Sequence, residues 1–170
     1  RLEAEALHRL LDLRLQAGGG LVRLHAGPQH VGPLALAALR ESGWHPDAIG
    51  GLTLGADPVS YAIAHASALA GTPIRAFTVR KEAKAHGTGK LIEGPFRDGD
   101  RTVGIEDVIT TGGSALRAVE VVRAAGGVVQ GVLAVVDREE GGREALNAAG
   151  LPVIALARAA DILARMPRPA

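Results

Sequence analysis

The sequence predicts an α/β fold, doubly wound around a mostly parallel, five-stranded sheet flanked by helices, and three features carry that expectation. From residue 28 onward, short apolar runs alternate with stretches of helical periodicity, as βαβ units require. The runs are apolar almost throughout, the mark of strands buried on both faces. Each cluster of candidate site residues, at 53–57, 80–94, 106–114 and 137–138, directly follows one of these runs. In such a sheet, ligands bind outside the carboxyl ends of the strands.

The elements follow in order. Leu2 to Leu15 places apolar residues at Leu2, Ala6, Leu7, Leu10, Leu11 and Leu13 with charges between, an amphipathic helix ended by Gly18, Gly19 and Gly20. Leu21 to Leu24 could form only a thin strand. Pro28 to Ser42 reads as a helix, with Pro33 tolerated in or near its first turn, and Gly43 ends it. Asp47 to Thr53 is the first core strand. In the loop Leu54-Gly55-Ala56-Asp57-Pro58, Asp57 is expected to be an N-cap and Pro58 the first helical residue of a helix reaching about Ala70. Locally, an ordinary capped turn and a functional loop explain that segment equally well.

Ile74 to Val79 is the second strand. Residues 80–100 then show no hydrophobic period and contain Gly87, Gly89 and Gly94, which reads as a lid, since so long a structureless stretch is uncommon in a compact domain. Thr102 to Ile105 is a buried strand, and Ser114 to Ala125 a helix with Ala115, Ala118, Val119, Val122 and Ala125 on one face. Val128 to Val136 is a long apolar strand, Arg143 to Ala149 a short helix and Val153 to Leu156 the last strand. A tail helix frayed by Pro167 and Pro169 follows.

At 170 residues the chain suits one well-buried domain rather than two. No run approaches the roughly 18 apolar residues of a membrane span. With no cysteine and no charged-then-apolar leader, a soluble cytoplasmic protein is expected, without disulfides or thiolate metal sites. A net charge of +1 and 2% aromatic residues argue against a nucleic-acid surface. His25, His30, His45 and His65 lack metal-ligand spacing, and Trp44 reads as packing. The three lysines, Lys81, Lys84 and Lys90, fall within ten residues in a chain that otherwise uses arginine. An ammonium on a flexible stem suits a polyphosphate that moves.

The stretch Val103 to Ser114 carries the chemistry: a strand, the acids Glu106 and Asp107, then Val108, Ile109, Thr110, Thr111, Gly112, Gly113 and Ser114, the last expected to cap the next helix. Loop N–H groups, hydroxyls and a helix N-terminus converging on one volume favour a phosphate. Acids beside an anion site need another partner, and ribose hydroxyls or a phosphate-bound Mg²⁺ supply one. Thr-Thr-Gly-Gly-Ser alone would read as a capped strand end; the preceding acids and apolar strand reverse that order.

This stretch resembles the phosphoribosyl diphosphate (PRPP) signature of type I phosphoribosyltransferases. Arg80-Lys81-Glu82-Ala83-Lys84-Ala85-His86-Gly87 is similar to the mobile loop of orotate phosphoribosyltransferases, and the likeness extends from about Asp47 to Arg143. It implies Mg²⁺-dependent transfer of phosphoribosyl from PRPP to orotate, with Mg²⁺ bound through PRPP and no assigned protein ligand. By resemblance, the 5′-phosphate lies on residues 110–114, Glu106 and Asp107 hold ribose hydroxyls, and Leu54, Gly55, Ala56 and Asp57 cradle the diphosphate. Arg80, Lys81, Lys84 and His86 close over it, and Thr110 and Arg138 meet orotate. Arg138 alone would read as part of the charge run 137–140.

The resemblance also implies a homodimer whose lid, residues 80–94, reaches the neighbouring subunit's site. The family's N-terminal hood, with its aromatic-Ser-Gly segment, has no counterpart here. A reduced or incomplete hood over residues 1–27 is expected, with residues absent around Leu13 to Leu21, ahead of a core at 28–157 and a tail at 158–170. A purine-type phosphoribosyltransferase shares the signature but not usually the lid. A PRPP-sensing regulator would show a basic nucleic-acid face that this charge balance lacks.

Overall fold

A computed structural model describes residues 28–82 and 90–164. The expected helix over 2–15, the strand over 21–24, the hood, Lys84, His86 and the prolines at 167 and 169 lie outside those residues. In chain order the elements are α1 (Pro28–Glu41), β1 (Ala48–Leu52), α2 (Ala56–Leu69), β2 (Arg75–Val79), β3 (Ile92–Glu93), β4 (Arg101–Ile109), α3 (Gly113–Ala124), β5 (Val128–Asp137), α4 (Gly142–Ala148), β6 (Val153–Arg158) and α5 (Ala159–Leu163).

The strands form one sheet in the order β3-β2-β1-β4-β5-β6. Five strands were expected and six are found. The sixth, β3, pairs antiparallel with β2, Val79 opposite Ile92 and Thr78 opposite Glu93, while the remaining neighbours are parallel. Two residues are too few to show any period, so β3 is invisible in the sequence. It also closes a hairpin: Arg80 N–H donates to the Leu91 carbonyl at 2.8 Å, so the lid segment leaves and rejoins the sheet at one point.

Apolar side chains alternate across the sheet into two layers. Val31 and Leu39 of α1 and Val59 and Ile63 of α2 pack with Ile49, Val103, Ile105 and Leu133 on one face. Ala115 and Val119 of α3 and Leu146 of α4 pack with Ile109, Val132 and Ala134 on the other, beside a cluster of Phe77, Val79, Ala118 and Val122. Burying one Val, Leu, Ile or Phe contributes about 1.5–3 kcal/mol. An exposed rim pair such as Asp47 with Arg101 is screened by solvent and contributes little, so apolar burial is what holds the helices to the sheet. Trp44 packs against the first layer, as its position near a turn suggested.

Pro33 lies inside α1 as its sixth residue, near the first turn as expected. Three element boundaries differ from expectation. Helix α2 starts at Ala56 from Gly55, which puts Asp57 in the first turn rather than at the N-cap and Pro58 third instead of first. Strand β4 continues through the acid pair to Ile109, because its ladder with β5 extends to Ile109 opposite Asp137 and Ile109 is buried. Helix α3 is capped by Gly112 at φ 83°, a left-handed conformation that glycine adopts without a Cβ penalty, so Ser114 is the second helical residue and not the cap.

Strand order determines where a ligand fits. The chain runs outward from β1 to β2 and β3, then returns to β4 on the other side of β1. The loops after β1 and β4 therefore diverge, leaving a crevice between adjacent parallel strands at their carboxyl ends.

Candidate functional site

The crevice is built from the loop after β1, the end of β4 with the turn into α3, the end of β2 with the lid base, and the turn after β5. Successive residues of a strand face opposite sides of the sheet, which separates the two acids of β4. Asp107 is exposed and turns toward the β1 loop, where a Cβ on Gly55 would lie 2.8 Å from its Oδ1 and 3.0 Å from its Oδ2. Glycine at 55 thus lets the backbone abut the carboxylate. Glu106 shares a face with Gly104, whose Cβ position lies 3.8 Å from Val119 of α3.

Glu106 is 7% exposed, and its Oε1 has no hydrogen-bond partner among the described residues. Burial pushes its carboxyl up to about 7, and the neighbouring Asp107 charge adds to the rise. The acids expected to act as a pair therefore occupy different environments, one solvated at the rim and one dry beneath α3.

The turn from β4 into α3 directs backbone toward the same edge. Neither Gly112 nor Gly55 supplies a side-chain cap to its helix. The first N–H groups of α2 and α3 thus meet the crevice without a cap from those residues, together with the positive ends of both helix dipoles.

Asp57 does not cap α2. Its Oδ2 accepts from Thr53 Oγ1 and its Oδ1 from Thr78 Oγ1, both at 2.8 Å, so it clamps the end of β1 to β2. Thr53, Thr78 and Tyr61 line a cleft of about 740 Å³ that extends to Arg80, Lys81, Glu82, Glu93 and Gly94. It joins the β1 loop to the lid base, where Arg80 Nη1 pairs with Glu93 Oε1 at 2.9 Å. Helix α3 reaches the same place: Arg117 Nη2 donates to the Lys81 carbonyl. Lys81 is exposed, as expected of a lid lysine.

Arg138 follows β5 on the other flank. Its backbone N–H donates to the Ile109 carbonyl at 3.0 Å, and its half-exposed guanidinium pairs with Glu140 at 2.6 Å. Beneath it, buried Asp137 accepts from Glu139 N–H at 2.9 Å and from Arg143 Nε at 2.8 Å.

The described residues thus bring Gly55 against Asp107 and Arg138 against Ile109, while the β1 loop and the lid base share a cleft. Sequence reasoning placed Thr53 and Asp137 inside candidate clusters without giving them roles, and it missed Thr78, Arg117 and the bond from Arg143 to Asp137. Of these, only Arg143 carried a signal, as a cation six residues after an acid. Among the described residues no three His, Cys, Asp or Glu side chains converge as a metal cage. A Mg²⁺ here would be held mainly by ligand oxygens and water, the usual arrangement for that ion beside a polyphosphate.

No protein-family model matches the chain. It is 52% identical over 120 residues to the orotate phosphoribosyltransferase of Aquifex aeolicus, covering 71% of this chain and 66% of that protein. The chain thus spans just under two thirds of that relative's length. Identity to the orotate phosphoribosyltransferase of a Bradyrhizobium species is 51% over 134 residues, covering 76% and 71%. The crystal structure of Mycobacterium tuberculosis orotate phosphoribosyltransferase in complex with PRPP is 40% identical with a TM-score of 0.74, over 95% of this chain and 91% of that one. A Saccharomyces cerevisiae adenine phosphoribosyltransferase, at 22% identity and a TM-score of 0.66 over 90% and 99%, shares the fold alone.

Proposed function

The chain belongs to the orotate phosphoribosyltransferase family, and on that premise we propose that it transfers phosphoribosyl from PRPP to orotate, releasing diphosphate and orotidine 5′-monophosphate for pyrimidine synthesis. The observation that carries this reading is the contact of Asp107 with Gly55, which puts an acid at the rim and two uncapped helix starts into one crevice. A sugar bearing two anionic groups matches that arrangement. Its phosphate suits the 110–114 turn, its diphosphate the 54–57 loop and lid, and its hydroxyls the carboxylate between them.

In the reaction, a ring nitrogen of orotate gives up its proton to water or to the departing diphosphate and forms a bond to ribose C1, while the bond from C1 to the diphosphate oxygen breaks, the electron pair leaving with diphosphate. C1 gains positive character as the leaving group gains charge, so preorganised groups of both signs are needed. Asp107 holds the ribose hydroxyls and stabilises the cationic sugar. Glu106 is the second acid for that role; burial shifts its carboxyl toward the protonated form at neutral pH. Lys81, Lys84 and His86, with Arg80 at the base, screen the departing diphosphate, and a Mg²⁺ bound through PRPP would supply further neutralisation. Arg138 turns from Glu140 to the orotate carboxylate as a bidentate partner, with Thr110 nearby.

We assign a single domain, a homodimer in which the lid serves the neighbouring site, and a cytoplasmic location suited to a chain with no cysteine. The test is orotate's ultraviolet absorbance with PRPP and Mg²⁺. A PRPP-dependent fall supports the transferase, and PRPP binding with no fall would make the protein a sensor instead.

A further inference from the structure

We propose that Gly142 is a positioning residue that holds the phosphate turn in register, an inference that rests on the reading of residues 110–114 as that turn. A Cβ on Gly142 would lie 2.4 Å from the Thr110 carbonyl oxygen, 2.8 Å from the Gly112 nitrogen and 2.4 Å from Ile109 Cγ2. From the other side, a Cβ on Gly112 would lie 3.0 Å from the Gly142 carbonyl oxygen. The two segments, thirty residues apart, meet backbone to backbone. Gly142 is the first residue of α4, so close approach rather than backbone conformation demands glycine there. Gly141 is the opposite case, with φ 88° and nothing within 4 Å of its Cβ position.

Helix α4 cannot retreat to relieve a clash. Leu146 is fully buried in the same cluster as Ile109. Arg143 ties the helix to Asp137 at 2.8 Å and to the Val153 carbonyl at 3.0 Å. The turn before it is pinned by Glu139, whose Oε2 accepts from Ala160 N–H at 2.9 Å. An added methyl therefore displaces Thr110 to Gly112, the start of the turn assigned to the phosphate. Arg138 lies in the same turn and bonds Ile109, so the base-side arginine and the phosphate turn share one support.

The experiment compares Gly142→Ala with Gly141→Ala by steady-state kinetics and thermal melting. Because a displacement approaching 1 Å can cost up to about 100-fold, Gly142→Ala raises KM for PRPP at least about tenfold, with a smaller change in kcat. Gly141→Ala lowers Tm through backbone strain and leaves KM for PRPP within about twofold, since it touches no part of the turn. An unchanged KM for folded Gly142→Ala, or an equal rise in both variants, overturns the inference.

Should Gly142→Ala not fold, the wild-type protein supplies the answer through amide NMR during titration with inorganic phosphate. Gly112 and Gly142 signals shift with one affinity, and Gly150, which has nothing near its Cβ position, stays still. Movement of Gly112 without Gly142 overturns the positioning role. Silence at both Gly112 and Gly113 overturns the phosphate-turn reading itself, and this inference with it.

Discussion

Glu106→Gln tests whether the buried acid is the energetic liability its surroundings make it. The folded protein raises that carboxyl from 4.5 to about 7, mainly by burial and secondarily through Asp107. A raised carboxyl means that the folded state holds the proton more tightly than the unfolded chain, so this group's contribution is fully present below pH 4.5 and is lost as pH rises through about 7. At about 1.4 kcal/mol per pH unit the span corresponds to about 3 kcal/mol. Glutamine keeps the shape and never ionises, so it resembles the protonated acid at every pH. Urea unfolding of the ligand-free protein at pH 5, 6, 7 and 8 should show the variant gaining on wild type by about 3 kcal/mol across that range. For a chain of this size the gain corresponds to about 6–12 °C in Tm. Asp107→Asn should remove the smaller part of the slope and leave most of it. A stability difference between Glu106→Gln and wild type that is the same at pH 5 and pH 8 would refute the burial of a titrating carboxyl.

Asp57→Ala leaves two threonine hydroxyls without their acceptor and should cost about 1–3 kcal/mol in urea unfolding, with Asp57→Asn milder; a neutral result removes the clamp. Arg117→Ala frees the Lys81 carbonyl, so trypsin should cut within residues 80–91 severalfold faster at nearly unchanged Tm, and equal cutting rates dissociate α3 from the lid base. Lys84→Ala should lower turnover while the melting temperature stays put, because a lid makes few core contacts; wild-type kinetics would exclude the lid lysine from catalysis.

The parts of the fold written as periodic signals were legible. Buried strands and amphipathic helices follow from apolar spacing, and Gly112-Gly113 after an acid pair marks the turn from β4 into α3. The extension of β4 was not legible, because two acids break an apolar run and only pairing with β5 as far as Asp137 carries the strand past them. Capping rules assigned Asp57 and Ser114 by residue type, yet glycines cap both helices and Asp57 is occupied by a threonine just past β1 and another in β2. Those threonines lie 25 residues apart, and no local rule connects them. Gly142 is less visible still: its role depends on the absence of an atom where another loop passes.

The missing caps suggest why the crevice suits anions. Helices α2 and α3 follow β1 and β4, and each starts from a glycine that offers no side chain to the first N–H groups. Glycine at an N-cap gives up only about a few tenths of a kcal/mol relative to Ser, Thr or Asp, so these two glycines leave the donors free with little loss of stability in the free protein. Helix α5 follows β6 and lacks a cap from Arg158, but the Glu139 carboxylate reaches across to Ala160 N–H and supplies one. The contrast separates the edge by use. Donors beyond the crevice are satisfied by the chain's own acid, whereas those around it are left to meet an anion from outside. Gly142 marks the border between the two, since α4 directs its start into the 110–112 backbone rather than into solvent. Serine at position 55 or 112 would bring a side chain against Asp107 or the Gly142 carbonyl, so the glycine that leaves the donors free is also the residue the packing requires.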